Sequence, residues 1–197
     1  MLTSTDFVTH APGPTMRTAI RAELSAIDPC DSLESEHLAN ALGWVDSGAP
    51  LCRTAKPATP AKHLVSYFAL VDHDHILLVD HRNAQLWLPT GGHVEPGEHP
   101  RVTVAREMKE ELGVVPAQEV DAPIMITCTE TVGLTAGHTD VSLWYVVHAD
   151  STQPLSFDVN EFNAVQWFHF DKVPFDRTDP HMMRFVIKLG RNTTKFP

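Results

Sequence analysis

The chain has 197 residues, and its 15 Lys or Arg against 25 Asp or Glu give a net charge of −10. That balance excludes the basic footprint of a protein that grips a nucleic acid polymer, although bound cations can invert the local field for a small anion. The first residues lack a basic region followed by an apolar core, and no apolar run is long enough to span a membrane. Cys30, Cys52 and Cys128 form neither a paired zinc pattern nor a disulfide framework, so a reduced cytoplasm is the expected setting.

Residues 1–14 have the small, polar, proline-bearing composition of a loose lead-in. Ile20, Leu24 and Ile27 then recur at helical spacing until Asp28-Pro29 ends the run. Asp31 and Glu34 stand as the two members of a capping box, and Leu38, Leu42 and Val45 carry a second helix to a stop before Gly48. The pattern predicts a helical hairpin over 15–47, followed by a proline-rich connector. The chain thus divides into an extension, 1–60, and a main domain, 61–197. Two short helices bury too little by themselves. The hairpin is expected to pack on the main domain or on a second copy of the chain, which would make a homodimer.

From His63 the period changes. His63 to Asp72 is β-branched and aromatic, as a buried strand is, and Ile76 to Asp80 is its return strand after a polar turn. His73, His75 and His81 fall on the turn and strand end without the carboxylates or cysteines of a closed zinc site, so they read as ordinary surface residues. In the segment Leu86 to Glu95, the paired Gly91-Gly92 signals close approach of another group to the backbone. Pro100 suits a first helical position and Gly113 a left-handed helix end. On the helix between them, Val104, Met108 and Leu112 form a buried flank, while Glu107, Glu110 and Glu111 share one arc. Three carboxylates that close repel one another. A hard divalent cation removes the conflict, since Mg²⁺ takes carboxylate and phosphate oxygens together. The stretch therefore reads as half a metal site, with a phosphate-bearing substrate as the other half. The plainer alternative is an exposed acidic helix. Further strands are expected over 123–131, 141–149 and 164–170, a glycine-bearing loop over 133–140, and a last helix over 180–189.

What separates the two alternatives is a fixed pattern: Gly92, five residues, Glu98, seven residues, then Arg106-Glu107-Met108-Lys109-Glu110-Glu111-Leu112-Gly113-Val114. It resembles the Nudix box of the Nudix hydrolases (the MutT-like family) at every fixed polar and glycine position. Met108, where the family usually has Ile, Leu or Val, is the one departure, and it is still apolar. The resemblance is strong over 86–114 and weaker over the rest of 62–190. It implies an α/β/α sandwich around a mixed β-sheet, here with an N-terminal helical hairpin. It also implies hydrolysis of a diphosphate linkage in a nucleoside diphosphate joined to another moiety, such as a nucleoside triphosphate or nucleotide sugar. Mg²⁺ (or Mn²⁺) would be held by Glu107, Glu110, Glu111 and the Gly92 carbonyl. Arg106 would orient the carboxylates, and Glu98 would support them from behind. The bound metal would lower the pKa of the attacking water.

For the general base, Glu110 or Glu111 comes first and Glu161 second, ahead of the other loop carboxylates, Glu130 and Asp140. Phe68, Trp87, Trp144 and Tyr145 could stack on a base, and Arg82 could pair with a phosphate, but strand aromatics are more often core and a hairpin-end arginine is more often simply exposed. The expected partner is a small phosphorylated substrate, with neither a nucleic acid polymer nor a membrane. Two alternatives differ in class. A non-catalytic Nudix-like nucleotide sensor would predict erosion of the box carboxylates, which are all present. An isoprenoid diphosphate isomerase would need a second glutamate cluster and a catalytic cysteine, for which Cys128 alone is weak support.

Overall fold

Strand β1 (Lys62–Asp72) is the centre of the molecule. It pairs antiparallel with β2 (His75–His81) at one end and with β4 (Thr90–His93) at the other, and parallel along its length with β6 (Thr139–His148). Beyond β6 lies the edge strand β5 (Met125–Glu130). Beyond β2 lie β3 (Leu86–Leu88) and β7 (Phe162–His169). The computed structural model describes residues 15–56, 59–131 and 137–193, so the lead-in over 1–14 and the first half of the glycine-bearing loop, 133–136, fall outside it.

The period of two along the strands divides the core between two faces. Leu64, Phe68, Leu70, Leu143 and Tyr145 face one cluster, which also holds Ile20, Leu24, Ala41 and Val45 of the hairpin and Val104, Met108 and Leu112 of the box helix. Ala69, Val71, Ile76, Leu78 and Trp144 face the other, against Met182, Phe185 and Leu189 of the last helix. The result is the mixed sheet with helices on both sides that the resemblance implies. Phe68, Trp144 and Tyr145 are core residues, each at most 1% exposed, so none is available to stack on a base. Trp144 donates its ring N–H to Thr127 Oγ1 at 3.0 Å, which satisfies the one polar atom it buries.

The segment 86–95 forms two short strands divided at Pro89. A proline has no N–H to give to a ladder, and the chain uses it to pass from β3, which pairs with β2, to β4, which pairs with β1.

The hairpin forms as α1 (Met16–Ala26) and α2 (Ser32–Asp46). Thr15 and Asp31 cap them, each accepting from the backbone N–H three residues on. Glu34 departs from a standard capping box. One of its oxygens accepts from the N–H of Cys30 at 2.8 Å, and the other takes Lys188 Nζ at 2.6 Å. Lys188 belongs to α4 (Met182–Thr193), so the pair ties the hairpin to the last helix. A second tie is Arg184 to both oxygens of Asp31 at 2.7 Å. The hairpin is therefore docked on its own chain. Among the described residues, no helix is long and apolar enough to cross a membrane.

Glu34 is fully buried and Lys188 is 7% exposed, so removing one partner leaves an uncompensated buried charge. Glu34→Ala is expected to cost about 3–5 kcal/mol in urea unfolding, and the double change Glu34→Leu with Lys188→Met distinctly less. Hydrogen bonds from Arg184 and from the Glu34 N–H hold the Asp31 carboxyl well below its usual range. A depressed carboxyl contributes stability that is fully present above the ordinary value of about 4 and is lost as pH falls through the folded value. The difference in melting temperature between wild type and Asp31→Asn should accordingly be larger at pH 7 than at pH 2.

Candidate active site

The box helix, α3, spans Pro100–Leu112. Its start is capped by the ring of His99, whose Nδ1 accepts from the N–H of Arg101 at 3.3 Å, and its end by Gly113 at φ 69°. The N–H groups of Ser156 and Asp158 bond to the carbonyls of Leu112 and Glu111, each at 3.0 Å. These bonds draw the segment that precedes β7 across the end of the helix.

One flank of α3 lies on β4. There Gly92 is required by space, and Gly91 both by space and by its φ of 157°. A Cβ on Gly92 would sit 1.8 Å from Glu107 Oε1, and one on Gly91 would sit 2.3 Å from the Ser66 carbonyl oxygen. The N–H of Gly91 donates to Glu111 Oε2 at 3.2 Å. Glu107 and Glu111 are thus pressed against the strand, whereas the Glu110 side chain is 60% exposed. The three carboxylates share an arc but not an environment.

Arg106 is the cation of this cluster. Its Nε and Nη2 grip both oxygens of Glu98 at 3.0 and 3.1 Å, and its Nη1 reaches Glu107 at 2.6 Å and Glu110 at 3.4 Å. Nη2 also donates to the carbonyl of His93 at 3.3 Å. Burial alone would raise the Glu98 carboxyl, but the hydrogen bonds from Arg106 and Thr103 outweigh it and hold the group low. Glu107 is raised by burial, with Arg106 opposing and Glu110 and Glu161 adding to the rise. Glu111 is pushed up to about 9, first by burial and then by the charges of Glu107 and Glu161. One backbone N–H is its only counterweight among these causes. A buried carboxylate beside others, and beyond the reach of the one arginine, fits a hard divalent cation. The residues present suit the ion that the pattern implies.

Glu161 is exposed in the segment before β7, and its charge adds to the rise of both Glu107 and Glu111. Its carbonyl accepts from the N–H of Arg82 at 2.9 Å, and the Arg82 side chain bonds back to the Phe162 carbonyl at 3.4 Å. Glu130 ends β5. Asp140 lies between His63 and His138, at 3.3 and 3.4 Å from their Nε2 atoms. Trp87 is half-buried against Phe168. Sequence reasoning missed His93, whose carbonyl Arg106 holds, and His99, which caps the helix, because neither a backbone acceptor nor a histidine cap has a distinctive spacing.

Helices cover both faces of a mixed sheet, and the carboxylates of one helix gather against a glycine-bearing strand. The family model of the NUDIX domain matches residues 62–189, and the chain belongs to that family. Solved structures agree on the fold. A MutT NUDIX hydrolase from Burkholderia pseudomallei is 24% identical, with a TM-score of 0.52 over 64% of this chain and 96% of its own. The ORF135 protein of E. coli is 23% identical, with a TM-score of 0.54 over 69% and 94%. The NUDIX domain of Shewanella oneidensis NrtR, in complex with ADP ribose, is 18% identical, with a TM-score of 0.53 over 81% and 98%. No curated protein sequence matches the chain.

Gly92→Ala places a methyl group on a carboxylate oxygen that Arg106 already holds. It is expected to displace Glu107 and abolish turnover while leaving the helix content intact, as assayed by circular dichroism beside phosphate release.

Proposed function

We propose that the protein is a metal-dependent hydrolase of diphosphate linkages, acting on a nucleoside diphosphate joined to another group, of the nucleoside triphosphate or nucleotide-sugar type. The observation that carries this reading is Glu111: buried, crowded by Glu107 and Glu161, and given one N–H in return. Family membership and a complete set of box residues support it. Glu107, Glu110, Glu111 and the Gly92 carbonyl would hold Mg²⁺ or Mn²⁺. When bound, the ion supplies charge neutralisation at the phosphate oxygens and a more acidic water.

The chain's own residues do the rest. Arg106 sets the direction of Glu107 and Glu110, and Glu98 holds Arg106 in place with two parallel bonds. Glu110 or Glu111 comes first as the group that takes the proton of the attacking water. Glu161 comes second: it is exposed, lies outside the metal-holding set, and its charge acts on both Glu107 and Glu111. Water attacks phosphorus, and a phosphorylated group departs.

The experiment is phosphate release from a panel of nucleoside triphosphates, nucleotide sugars and ADP-ribose with Mg²⁺ or Mn²⁺. Glu111→Gln is expected to reduce kcat by about 10³-fold. If Glu161 is the base, Glu161→Gln lowers kcat by about 10²–10⁴-fold with little change in KM. Hydrolysis that survives Glu111→Gln unchanged in Mg²⁺ would falsify the assignment of the metal site. Nucleotide binding without turnover of any panel member would favour the sensor instead.

A further inference from the structure

We propose that His63, His93, His138 and Asp140 form a closed site for one divalent transition ion of the zinc class, separate from the box carboxylates. One donor atom from each lies within 4.8 Å of all the others. They come from three neighbouring strands. His63 is the second residue of β1 and pairs in register with Asp140 of β6, His138 lies just before β6, and His93 ends β4. His63 is fully buried and His138 is 9% exposed.

The hydrogen bonds say which atoms are free. His63 Nδ1 lies 2.8 Å from the Pro60 carbonyl, which can only accept, so Nδ1 carries the proton. In the neutral tautomer that keeps this bond, the lone pair lies on Nε2, which is 3.3 Å from Asp140 Oδ1. His138 repeats the arrangement. The Thr131 hydroxyl donates to the His138 carbonyl at 3.1 Å and so accepts from Nδ1, also at 3.1 Å, which leaves Nε2 facing the same oxygen at 3.4 Å. His63 Nε2, His93 Nε2 and Asp140 Oδ1 are all buried without a hydrogen-bond partner. Buried acceptors turned on one another are costly unless a cation stands between them.

The dimensions fit such a cation. Zinc bonds to imidazole nitrogen and carboxylate oxygen of about 2.0–2.1 Å, at the tetrahedral angle, put neighbouring donors about 3.3–3.4 Å apart. The two Nε2–Oδ1 distances have that length. Imidazole nitrogens favour zinc and its neighbours over Mg²⁺, and four protein ligands describe a structural site rather than an open catalytic one. The bonds from Nδ1 to a carbonyl and a hydroxyl are the outer contacts that orient metal-bound histidines. His138 also lines a surface hollow with Glu130 and Gly137, which offers a way in. Because Arg106 holds the His93 carbonyl while the His93 ring points into this cluster, an ion here would brace the strand that carries Gly91 and Gly92.

The test uses the full chain, stripped with a chelator and titrated with Zn²⁺ alone in a calorimeter. Tight binding of one ion per chain is expected. It should weaken at least about 100-fold in His138→Gln and in Asp140→Asn, and persist in Glu111→Gln. X-ray absorption at the zinc edge of the loaded wild type needs no variant and should give three nitrogens and one oxygen. Four outcomes would each overturn the proposal: no stoichiometric binding, binding indifferent to both changes, binding lost in Glu111→Gln, or an all-oxygen shell. None of these readouts depends on hydrolase activity, so the proposed function stands or falls separately.

Discussion

One guanidinium faces more negative charge than it can neutralise. Arg106 takes both oxygens of Glu98 and then reaches Glu107 and Glu110, but Glu111 lies outside its grasp. The geometry around it follows from that shortage. Glu98 must stay charged for Arg106 to stay placed, and its bonds to Arg106 and Thr103 keep it so. Glu107 packs against Gly92, in the volume that a side chain there would occupy. Glu111 is left with strong pressure to bind a proton or a cation.

The fold supplies the rigidity this crowding needs. Val104, Met108 and Leu112 anchor the box helix in the same core as the N-terminal hairpin, and the Ser156 and Asp158 N–H groups bond to its last carbonyls. The hairpin reinforces the arrangement from outside. Glu23 of α1 pairs with Arg101 near the start of the box helix, and α2 is bonded to the last helix through two ion pairs. The extension is thus joined to both helical layers. His93 gives the sheet a comparable role, with its carbonyl bonded to Arg106 and its ring among the other buried histidines.

Much of this was legible in the chain. Helical spacing placed α1, α2 and the box helix within a residue or two, because those segments carry their own caps and apolar stripes. The strands were legible for a related reason, since β-branched and aromatic runs between polar turns leave few alternatives. Their ends were less so. β6 begins at Thr139 and β7 at Phe162, earlier than the apolar runs suggest, because ladder bonds extend pairing into polar residues. The Glu34 contacts were legible only in part. The residue sits where a capping box needs it, but its partners are Cys30 and a lysine 154 positions away.

The local pattern by itself determined the family, the helix that carries the carboxylates and the glycines they lean on, because all of these lie within 24 consecutive residues, 91–114. Only the tertiary structure decided how deeply each carboxylate is buried, that the charge of Glu161 acts on them, and that Asp140 instead joins three histidines. Those relations depend on which strands pair and in what register. His63 meets Asp140 through a parallel ladder between β1 and β6, across 77 positions of sequence. No spacing along the chain encodes that meeting. Burial and charge crowding, which give these groups their chemistry, arise only when the sheet has formed.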